Sequence, residues 1–202
     1  MTFRKIALTG GPGAGKSEAL EFLRDRFEKR GYRVILLRET ATEMILAGLI
    51  PSKTIPVFSF QSRLFELQLF REQLYEHAAM NMDDENILLI CDRGIMDGQV
   101  FLQKGEFEEI MRLHNTNKPF LLDRYDAIFH LQTAAALGQN YYSLENNQAR
   151  SEDWKTALQQ DEALYDSWAD HPFHFVVEAK INMADKLEVL DQTILNYLES
   201  VK

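Results

Sequence analysis

The chain has 202 residues, of which 46% are hydrophobic, and its formal net charge is −9. This length predicts a single domain over residues 1–202, the apolar content argues against disorder, and the negative charge argues against nucleic acid as a general partner. Apolar runs stay well below the roughly 18 residues of a membrane span, and the single cysteine, Cys91, cannot form an intramolecular disulfide. We therefore expect a cytoplasmic protein with a core cysteine; the oligomeric state is left open.

Five short apolar runs predict β-strands, at residues 5–9, 33–37, 87–91, 127–131 and 173–177. Each run is apolar at nearly every position, as in parallel strands that are buried on both faces. Helical patterns separate the runs. This alternation predicts right-handed βαβ units and a three-layer α/β/α fold.

Four longer segments predict amphipathic helices, at residues 17–30, 60–82, 153–169 and 183–200. The first places Leu20, Leu23 and Phe27 on one face. The second repeats apolar side chains at helical spacing, namely Leu64, Leu67, Phe70, Leu74 and Ala78. Residues 132–152 are polar and show no periodicity, so that a lid and an ordinary surface loop are both open interpretations.

The segment Gly-Gly-Pro-Gly-Ala-Gly-Lys-Ser at residues 10–17 matches the P-loop pattern, with a predicted strand before it and a predicted helix after it. Glycines allow backbone N–H groups to approach phosphate oxygens, and the start of a helix attracts negative charge. Lys16 can bridge the β- and γ-phosphates of a nucleoside triphosphate, and Ser17 can ligate Mg²⁺. The predicted nucleotide-binding residues are Gly11, Pro12, Gly13, Ala14, Gly15, Lys16 and Ser17.

The apolar run at residues 87–91 is followed directly by Asp92 and Arg93. An apolar strand that ends in a carboxylate is typical of a Walker B segment, where the carboxylate holds Mg²⁺ directly or through water. Asp92 is therefore the second predicted metal ligand, together with Ser17. Arg93 is placed to bind phosphate, although a structural ion pair with Asp92 or Asp97 is the alternative.

Further polar residues are candidates for contacts with an acceptor of the phosphoryl group. Glu39 follows the second predicted strand, and ligands bind beyond the carboxyl ends of such strands. Its carboxylate can orient or deprotonate an acceptor hydroxyl, and helix capping is the alternative. Arg150 is predicted to reach the transferring phosphate from the lid, or else to be a solvated charge. Gln61 and Gln68 are weaker candidates, because glutamines are common on helix surfaces.

Two other site types find no support in the sequence. The five histidines do not show metal-ligand spacing with one another or with cysteine or acidic residues, so a zinc site is not expected. The segment Asn117-Lys118-Pro119-Phe120 begins like a guanine-binding motif but lacks its final aspartate. The sequence therefore contains no positive sign of selectivity for GTP.

The order of several short segments resembles the AAA-like P-loop ATP-binding family. This family includes the ribosylnicotinamide kinase domain of bacterial NAD regulators and the TRPL translocation defect protein. The resemblance covers roughly residues 4–198. It rests on the P-loop at residues 10–17, Arg38-Glu39-Thr40-Ala41, Asp92-Arg93-Gly94 with Asp97, Arg124-Tyr125-Asp126, Ala149-Arg150, and Trp168 with His171-Pro172.

The resemblance implies a nucleoside-kinase-like fold, with a five-stranded parallel sheet in the order 2-3-1-4-5 and a lid after the fourth strand. It also implies that ATP and Mg²⁺ bind at residues 10–17 and Asp92. By the same resemblance, Glu39 and Arg93 lie on the acceptor and phosphate sides of the site, and Arg150 belongs to the lid.

Two hypotheses of different classes follow. The first is an ATP- and Mg²⁺-dependent kinase that phosphorylates a small nucleoside- or nucleotide-like acceptor, with Lys16, Glu39, Asp92, Arg93 and Arg150 as its catalytic residues. The second is a regulatory protein in which ATP or GTP switches a surface that binds a partner or a phosphoinositide. A kinase requires an acceptor pocket beside the γ-phosphate, lined by residues such as Glu39 and Gln61. A switch requires no such pocket.

Overall fold

The computed structural model describes residues 2–142 and 153–201, which form a five-stranded, all-parallel sheet with helices on both faces. The strand order is 2-3-1-4-5, as the family resemblance predicts. Strand β1 pairs with β3 on one side and with β4 on the other, so the P-loop leaves from the middle of the sheet. The strands are β1 (Thr2–Thr9), β2 (Arg33–Leu37), β3 (Asn86–Asp92), β4 (Ala127–Leu131) and β5 (His174–Val177).

Within the described residues there are seven α-helices. They are α1 (Lys16–Lys29), α2 (Thr40–Leu46), α3 (Val57–Ala79), α4 (Glu106–Leu113), α5 (Lys118–Leu122), α6 (Trp154–Ser167) and α7 (Met183–Ser200). The predicted positions of α1, α3, α6 and α7 are confirmed to within three residues at each end. The sequence did not predict α2, α4 and α5, because helices of five to eight residues are too short to show a clear period.

Two hydrophobic cores fill the spaces on either side of the sheet. Ile6 and Leu8 of β1 point into the core formed with α1 and α7. Ala7, between them, points into the opposite core, which contains Cys91 and Trp168. Successive strand residues therefore serve different layers, and this explains why the predicted strands are apolar at every position.

The apolar stripe that indicates α3 does not mark its buried face. Phe70 is 61% exposed and Leu74 is 52% exposed. The buried face carries Phe60 and Phe65 together with the polar side chains of Gln61, Gln68 and Glu72, and Glu72 is fully buried. These polar side chains tolerate burial because Glu72 is paired with cations and Gln68 is hydrogen-bonded, and both lie beneath the loop that follows β3.

The segment after β4 departs from regular structure. Its described part, residues 132–142, contains two short 3₁₀ helices, Ala134–Leu137 and Gln139–Tyr141. The rest of the predicted lid, including Arg150, lies outside the described residues. Among residues 2–142 and 153–201, no helix combines the length and the apolar composition that crossing a bilayer requires.

The Asn-Lys-Pro-Phe segment is the start of α5. Asn117 caps this helix, because its side-chain oxygen accepts a hydrogen bond from the Phe120 N–H at 3.0 Å. Pro119 occupies the first turn, where its missing N–H has no consequence. The segment therefore has a local structural explanation.

Candidate active site

Two glycines give the P-loop its shape. Gly10 directly follows β1 and has a φ of 132°, and a side chain there would overlap the Leu131 carbonyl. Gly15 precedes α1 with a φ of 85°, and a side chain there would overlap Met183. Gly10 is required by both its backbone conformation and the fixed Leu131 carbonyl, whereas Gly15 is favoured by its backbone conformation, since the end of the flexible Met183 side chain can move.

Side chains from α6 and α7 brace the P-loop backbone. The Gly11 N–H donates to Asp161 Oδ1 at 2.6 Å, and Lys186 Nζ donates to the Ala14 carbonyl oxygen at 2.7 Å. Both side chains are buried. Since the Gly11 N–H already has this partner, we expect phosphate to be bound by N–H groups closer to the start of α1.

Sequence reasoning missed Asp161 and Lys186, although each leaves a signal. Asp161 lies on the same helical stripe as the buried Ala157 and Leu164. A charged residue within an apolar stripe at i, i+4 and i+7 spacing indicates a buried polar partner. Lys186 interrupts the buried stripe of α7 in the same way.

Lys16 is folded back onto its own loop. Its Nζ donates to the Gly10 carbonyl oxygen at 2.7 Å and to the Gly11 carbonyl oxygen at 3.2 Å. Burial and the nearby Arg93 guanidinium lower the pKa of Lys16 to about 7, against the opposite effect of the surrounding carboxylates. The ammonium form of Lys16 is thus weakly stabilised in the free protein, and an anionic ligand would stabilise it.

Asp92 ends β3 directly beside Leu8 of β1, at the base of the P-loop. Its Oδ1 atom is buried and has no hydrogen-bond partner among the described residues. Burial raises the pKa of Asp92, although the Lys16 ammonium opposes this shift. A buried carboxylate oxygen without a partner fits a cation that arrives with a ligand.

Ser17 and Asp92 together fit a magnesium–nucleotide site. Ser17 lies in the exposed first turn of α1, next to Lys16. Magnesium prefers oxygen ligands and is commonly held by one or two protein groups together with substrate phosphates. Within the described parts of the chain, no group of three or more His, Cys, Asp or Glu side chains is arranged to hold a metal.

Glu39 and Arg93 form an ion pair at the carboxyl edge of the sheet. Arg93 Nε donates to Glu39 Oε1 at 2.8 Å, and a second guanidinium nitrogen donates to the Gly10 carbonyl oxygen at 3.2 Å. Burial raises the pKa of Glu39, but the downward effect of Arg93 and the Thr42 hydroxyl is larger, so the net shift is downward. Glu39 is therefore an ionised hydrogen-bond acceptor beside the P-loop.

Neighbouring elements hold the backbone around Arg93 in place. Arg93 has a φ of 78°, which is uncommon for a residue with a side chain. Its N–H donates to the Leu8 carbonyl oxygen at 3.0 Å, and its carbonyl accepts a bond of 3.4 Å from Gln68. Two residues later, the Ile95 N–H donates to the Tyr125 hydroxyl at 2.8 Å. These contacts aim the guanidinium at the P-loop.

Asp97 faces Arg93 from the 3₁₀ helix Ile95–Phe101. One of its oxygens, Oδ2, lies 3.6 Å from an Arg93 guanidinium nitrogen. The alternative interpretation of Arg93 as part of a structural ion pair is thus also present, with Asp97 and Glu39 as the partners. The two interpretations are compatible, because Arg93 contacts the P-loop as well.

A cavity of about 220 Å³ opens beside Arg93, between α2, α3 and the 3₁₀ helix. Its walls are mostly apolar and include the aromatic rings of Phe60, Phe65 and Phe107. Glu39 and Gln61 line it, as the kinase hypothesis requires of an acceptor pocket. Gln68 also lines it, but its amide is hydrogen-bonded to Glu72 and to Arg93.

The structure thus brings four of the five predicted catalytic residues together. Lys16, Glu39, Asp92 and Arg93 surround one point at the carboxyl ends of β1, β2 and β3, and each influences the ionisation of the others. The fifth, Arg150, lies outside the described residues. Asp97 joins this group through Arg93.

The model of an AAA domain family matches residues 5–186 of the chain. The chain belongs to this AAA domain family. The match runs from β1 into the first turn of α7 and includes the whole P-loop. None of the curated proteins matches the chain. The P-loop of this AAA domain is therefore the nucleotide-binding loop of a P-loop NTPase fold, and the cavity adjoins it.

Proposed function

We propose that this AAA domain is a kinase that transfers the γ-phosphoryl group of ATP to a hydroxyl of a small, nucleoside-like acceptor. The observation that carries the proposal is the cavity beside the P-loop. Arg93 donates to the Gly10 carbonyl of the loop and also lines the cavity, so one side chain reaches both the donor and the acceptor positions. The aromatic walls suit a ring, as in a nucleobase or a pyridine.

On the donor side, the first-turn amides of α1 and the Lys16 ammonium bind the β- and γ-phosphates. Ser17 and Asp92 would hold Mg²⁺, which would supply positive charge beside the phosphate oxygens. Lys16 exchanges its two loop carbonyl partners for phosphate oxygens, which gain more from a positive charge than carbonyls do.

On the acceptor side, Glu39 receives a hydrogen bond from the acceptor hydroxyl and takes its proton as the new bond forms. The hydroxyl oxygen attacks the γ-phosphorus, the bond between that phosphorus and the β,γ-bridging oxygen breaks, and ADP leaves. Arg93 stabilises the charge on the transferring group. Arg150 is proposed to add a second guanidinium from the lid.

The test is a screen of ATP consumption against nucleosides, nucleotides and pyridine ribosides, with GTP as a second donor. The pyridine ribosides are included because the sequence resemblance extends to a ribosylnicotinamide kinase domain. We expect at least one compound to raise turnover well above the rate of the protein alone. Lys16→Ala should abolish this stimulation, since loss of a single fixed donor to developing negative charge typically lowers kcat by about 10²- to 10³-fold.

The matched control is Lys29→Ala, which removes an exposed lysine from the far end of the same helix. Its stimulated turnover should equal that of the wild type. If no compound raises turnover, the kinase proposal fails and the nucleotide-dependent switch takes its place. If stimulation survives in Lys16→Ala, the role given to Lys16 is wrong.

A further inference from the structure

Asp97 uses only one of its two carboxylate oxygens to hold itself in place. Oδ1 accepts hydrogen bonds from the Thr9 hydroxyl at 2.8 Å and from Trp168 Nε1 at 2.7 Å. The side chain is 3% exposed. Because the two donors come from β1 and from the residue that follows α6, the orientation of the carboxylate is defined by two separate parts of the fold.

The other oxygen, Oδ2, has no hydrogen-bond partner among the described residues. The Arg93 guanidinium nitrogen is 3.6 Å away, beyond hydrogen-bond distance. Asp97 belongs to the cavity wall, whereas Thr9 and Trp168, the donors to Oδ1, do not, so Oδ2 is the carboxylate oxygen of this wall residue that is left for a ligand. Buried carboxylate oxygens normally find a donor, and one that has none and borders a cavity indicates that a ligand supplies it.

The charges of the cavity favour particular acceptors. Of the described residues that line it, three are charged: Glu39, Arg93 and Asp97. Arg93 is already engaged by both carboxylates. A phosphate group on the acceptor would face two negative charges and a cation whose charge is balanced, so anionic acceptors are disfavoured.

We propose that Asp97 Oδ2 binds a hydrogen-bond donor of the acceptor, a hydroxyl or amino group a few bonds from the hydroxyl that Glu39 contacts. The pocket then selects neutral or cationic acceptors with two such groups, for example a ribose diol, and rejects the phosphorylated forms. This inference rests on the proposed kinase reaction at the same site. Asp97 is a specificity-determining residue in this scheme, and it also balances the charge of Arg93.

The experiment measures binding rather than turnover. Adenosine, cytidine, uridine and a pyridine riboside are titrated calorimetrically into the protein with Mg²⁺ and a non-hydrolysable ATP analogue. Each is compared with its 2′-deoxy and 3′-deoxy analogues and with its 5′-monophosphate. We expect the wild type to bind at least one riboside at least tenfold more tightly than one of its deoxy analogues and than its monophosphate.

Asp97→Asn keeps an oxygen for Thr9 and Trp168 but places an amide donor towards the cavity. It should reduce the preference for the riboside over its deoxy analogue to less than about threefold. Asp25→Asn, an exposed aspartate of α1, is the matched control and should keep the full preference. The wild-type comparison needs no variant, so a folding defect of Asp97→Asn does not prevent the test.

Equal binding of the riboside and its deoxy analogues, failure of every probe to bind, tighter binding of the monophosphate, or an unchanged preference in Asp97→Asn would each overturn the inference. The kinase screen has a separate outcome. A binding preference that depends on Asp97, without any phosphoryl transfer, rejects the kinase proposal but keeps the Asp97 site. Phosphoryl transfer without a preference for the riboside rejects the Asp97 site but keeps the kinase proposal.

Discussion

At the level of a single residue, Arg93 connects the P-loop with the cavity beside it. Its guanidinium donates to Glu39 and to the Gly10 carbonyl, and it faces Asp97. Burial lowers the pKa of this guanidinium, but the upward effect of Asp97 and Glu39 is larger. The net shift of the pKa is therefore upward, and the guanidinium stays charged. The left-handed backbone of Arg93 is the local strain that this placement requires.

Lys16 makes nucleotide binding depend on pH. Its pKa of about 7 in the free protein means that roughly 0.9 of the side chain is neutral at pH 8, whereas the bound triphosphate favours the ammonium. ATP binding should therefore take up nearly one proton at pH 8, and affinity should fall by up to about tenfold per unit as the pH rises above 7. Calorimetry in two buffers of different ionisation enthalpy measures the uptake.

Lys16→Met is the control for this experiment, because it keeps the length of the side chain and removes the titrating group. It should bind nucleotide more weakly and take up correspondingly fewer protons at pH 8. Wild-type binding at pH 8 without proton uptake would show that Lys16 is already charged in the free protein.

At the level of an element, α3 supports the site through buried polar side chains. Glu72 is fully buried and accepts hydrogen bonds from Lys5 Nζ at 2.8 Å and from the Tyr125 hydroxyl at 2.6 Å. Arg124 adds a second cation at 3.0 Å. Since Tyr125 in turn accepts the Ile95 N–H, this network reaches the loop that carries Arg93.

Glu72→Ala should lower the free energy of unfolding by about 3–5 kcal/mol. The reason is that the buried Tyr125 hydroxyl and the Arg124 guanidinium lose their acceptor. Lys5, which is 2% exposed, also loses its fully buried anion and keeps Glu76, whose side chain is 21% exposed, as its remaining partner among the described residues. Glu66→Ala is the matched control on the same helix. Glu66 is 56% exposed and pairs with Arg63, so its loss should change stability by less than about 1 kcal/mol.

Urea denaturation at pH 7 measures both variants. A loss in Glu72→Ala no larger than that in Glu66→Ala would mean that the buried network does not stabilise α3. In that case the existing ion pair between Lys5 and Glu76 would be sufficient to balance the charge of Lys5 in the variant.

At the level of the whole molecule, the P-loop is held from the far end of the chain. Lys186 of α7 donates to the Ala14 carbonyl at 2.7 Å and to the Gln132 carbonyl at 2.6 Å. It therefore ties the P-loop to the end of β4. Asp161 of α6 holds the Gly11 amide, so helices on both faces of the sheet fix the loop.

Lys186→Met should weaken ATP binding and lower the free energy of unfolding by about 2–4 kcal/mol, because the buried Ala14 carbonyl and the partly buried Gln132 carbonyl lose a charged donor. Lys29→Met is the control, since Lys29 is 71% exposed and pairs with the exposed Asp25. Urea denaturation measures stability, and calorimetry measures affinity. Normal ATP affinity in a destabilised Lys186→Met would show that the brace stabilises the fold without shaping the loop.

Much of the fold follows from local patterns. The buried parallel strands were predicted from their unbroken apolar runs, and α7 was predicted with its observed ends. The strand order, in contrast, was available only from the family resemblance, because periodicity carries no information about which strands are neighbours. Glu39, Asp92 and Arg93 were predicted from their positions at strand ends, where an α/β fold binds ligands.

The buried face of α3 shows why local patterns fail. Phe70 and Leu74 follow the helical period but are exposed, whereas Glu72 is buried because its partners come from β1 and from the segment before β4. Helical periodicity detects apolar stripes and cannot foresee a charge that is neutralised by distant residues.

The sequence by itself determined the phosphate-binding loop, because its glycines, its lysine and the flanking strand and helix are contained in one short segment. Tertiary structure alone decided how the cavity beside this loop is formed and how Asp97 is held in its wall. Asp97 is anchored by Thr9 and Trp168, which are 88 and 71 positions away in the chain. Contacts over such separations depend on how the strands and helices pack, and they leave no trace in the local spacing of residues.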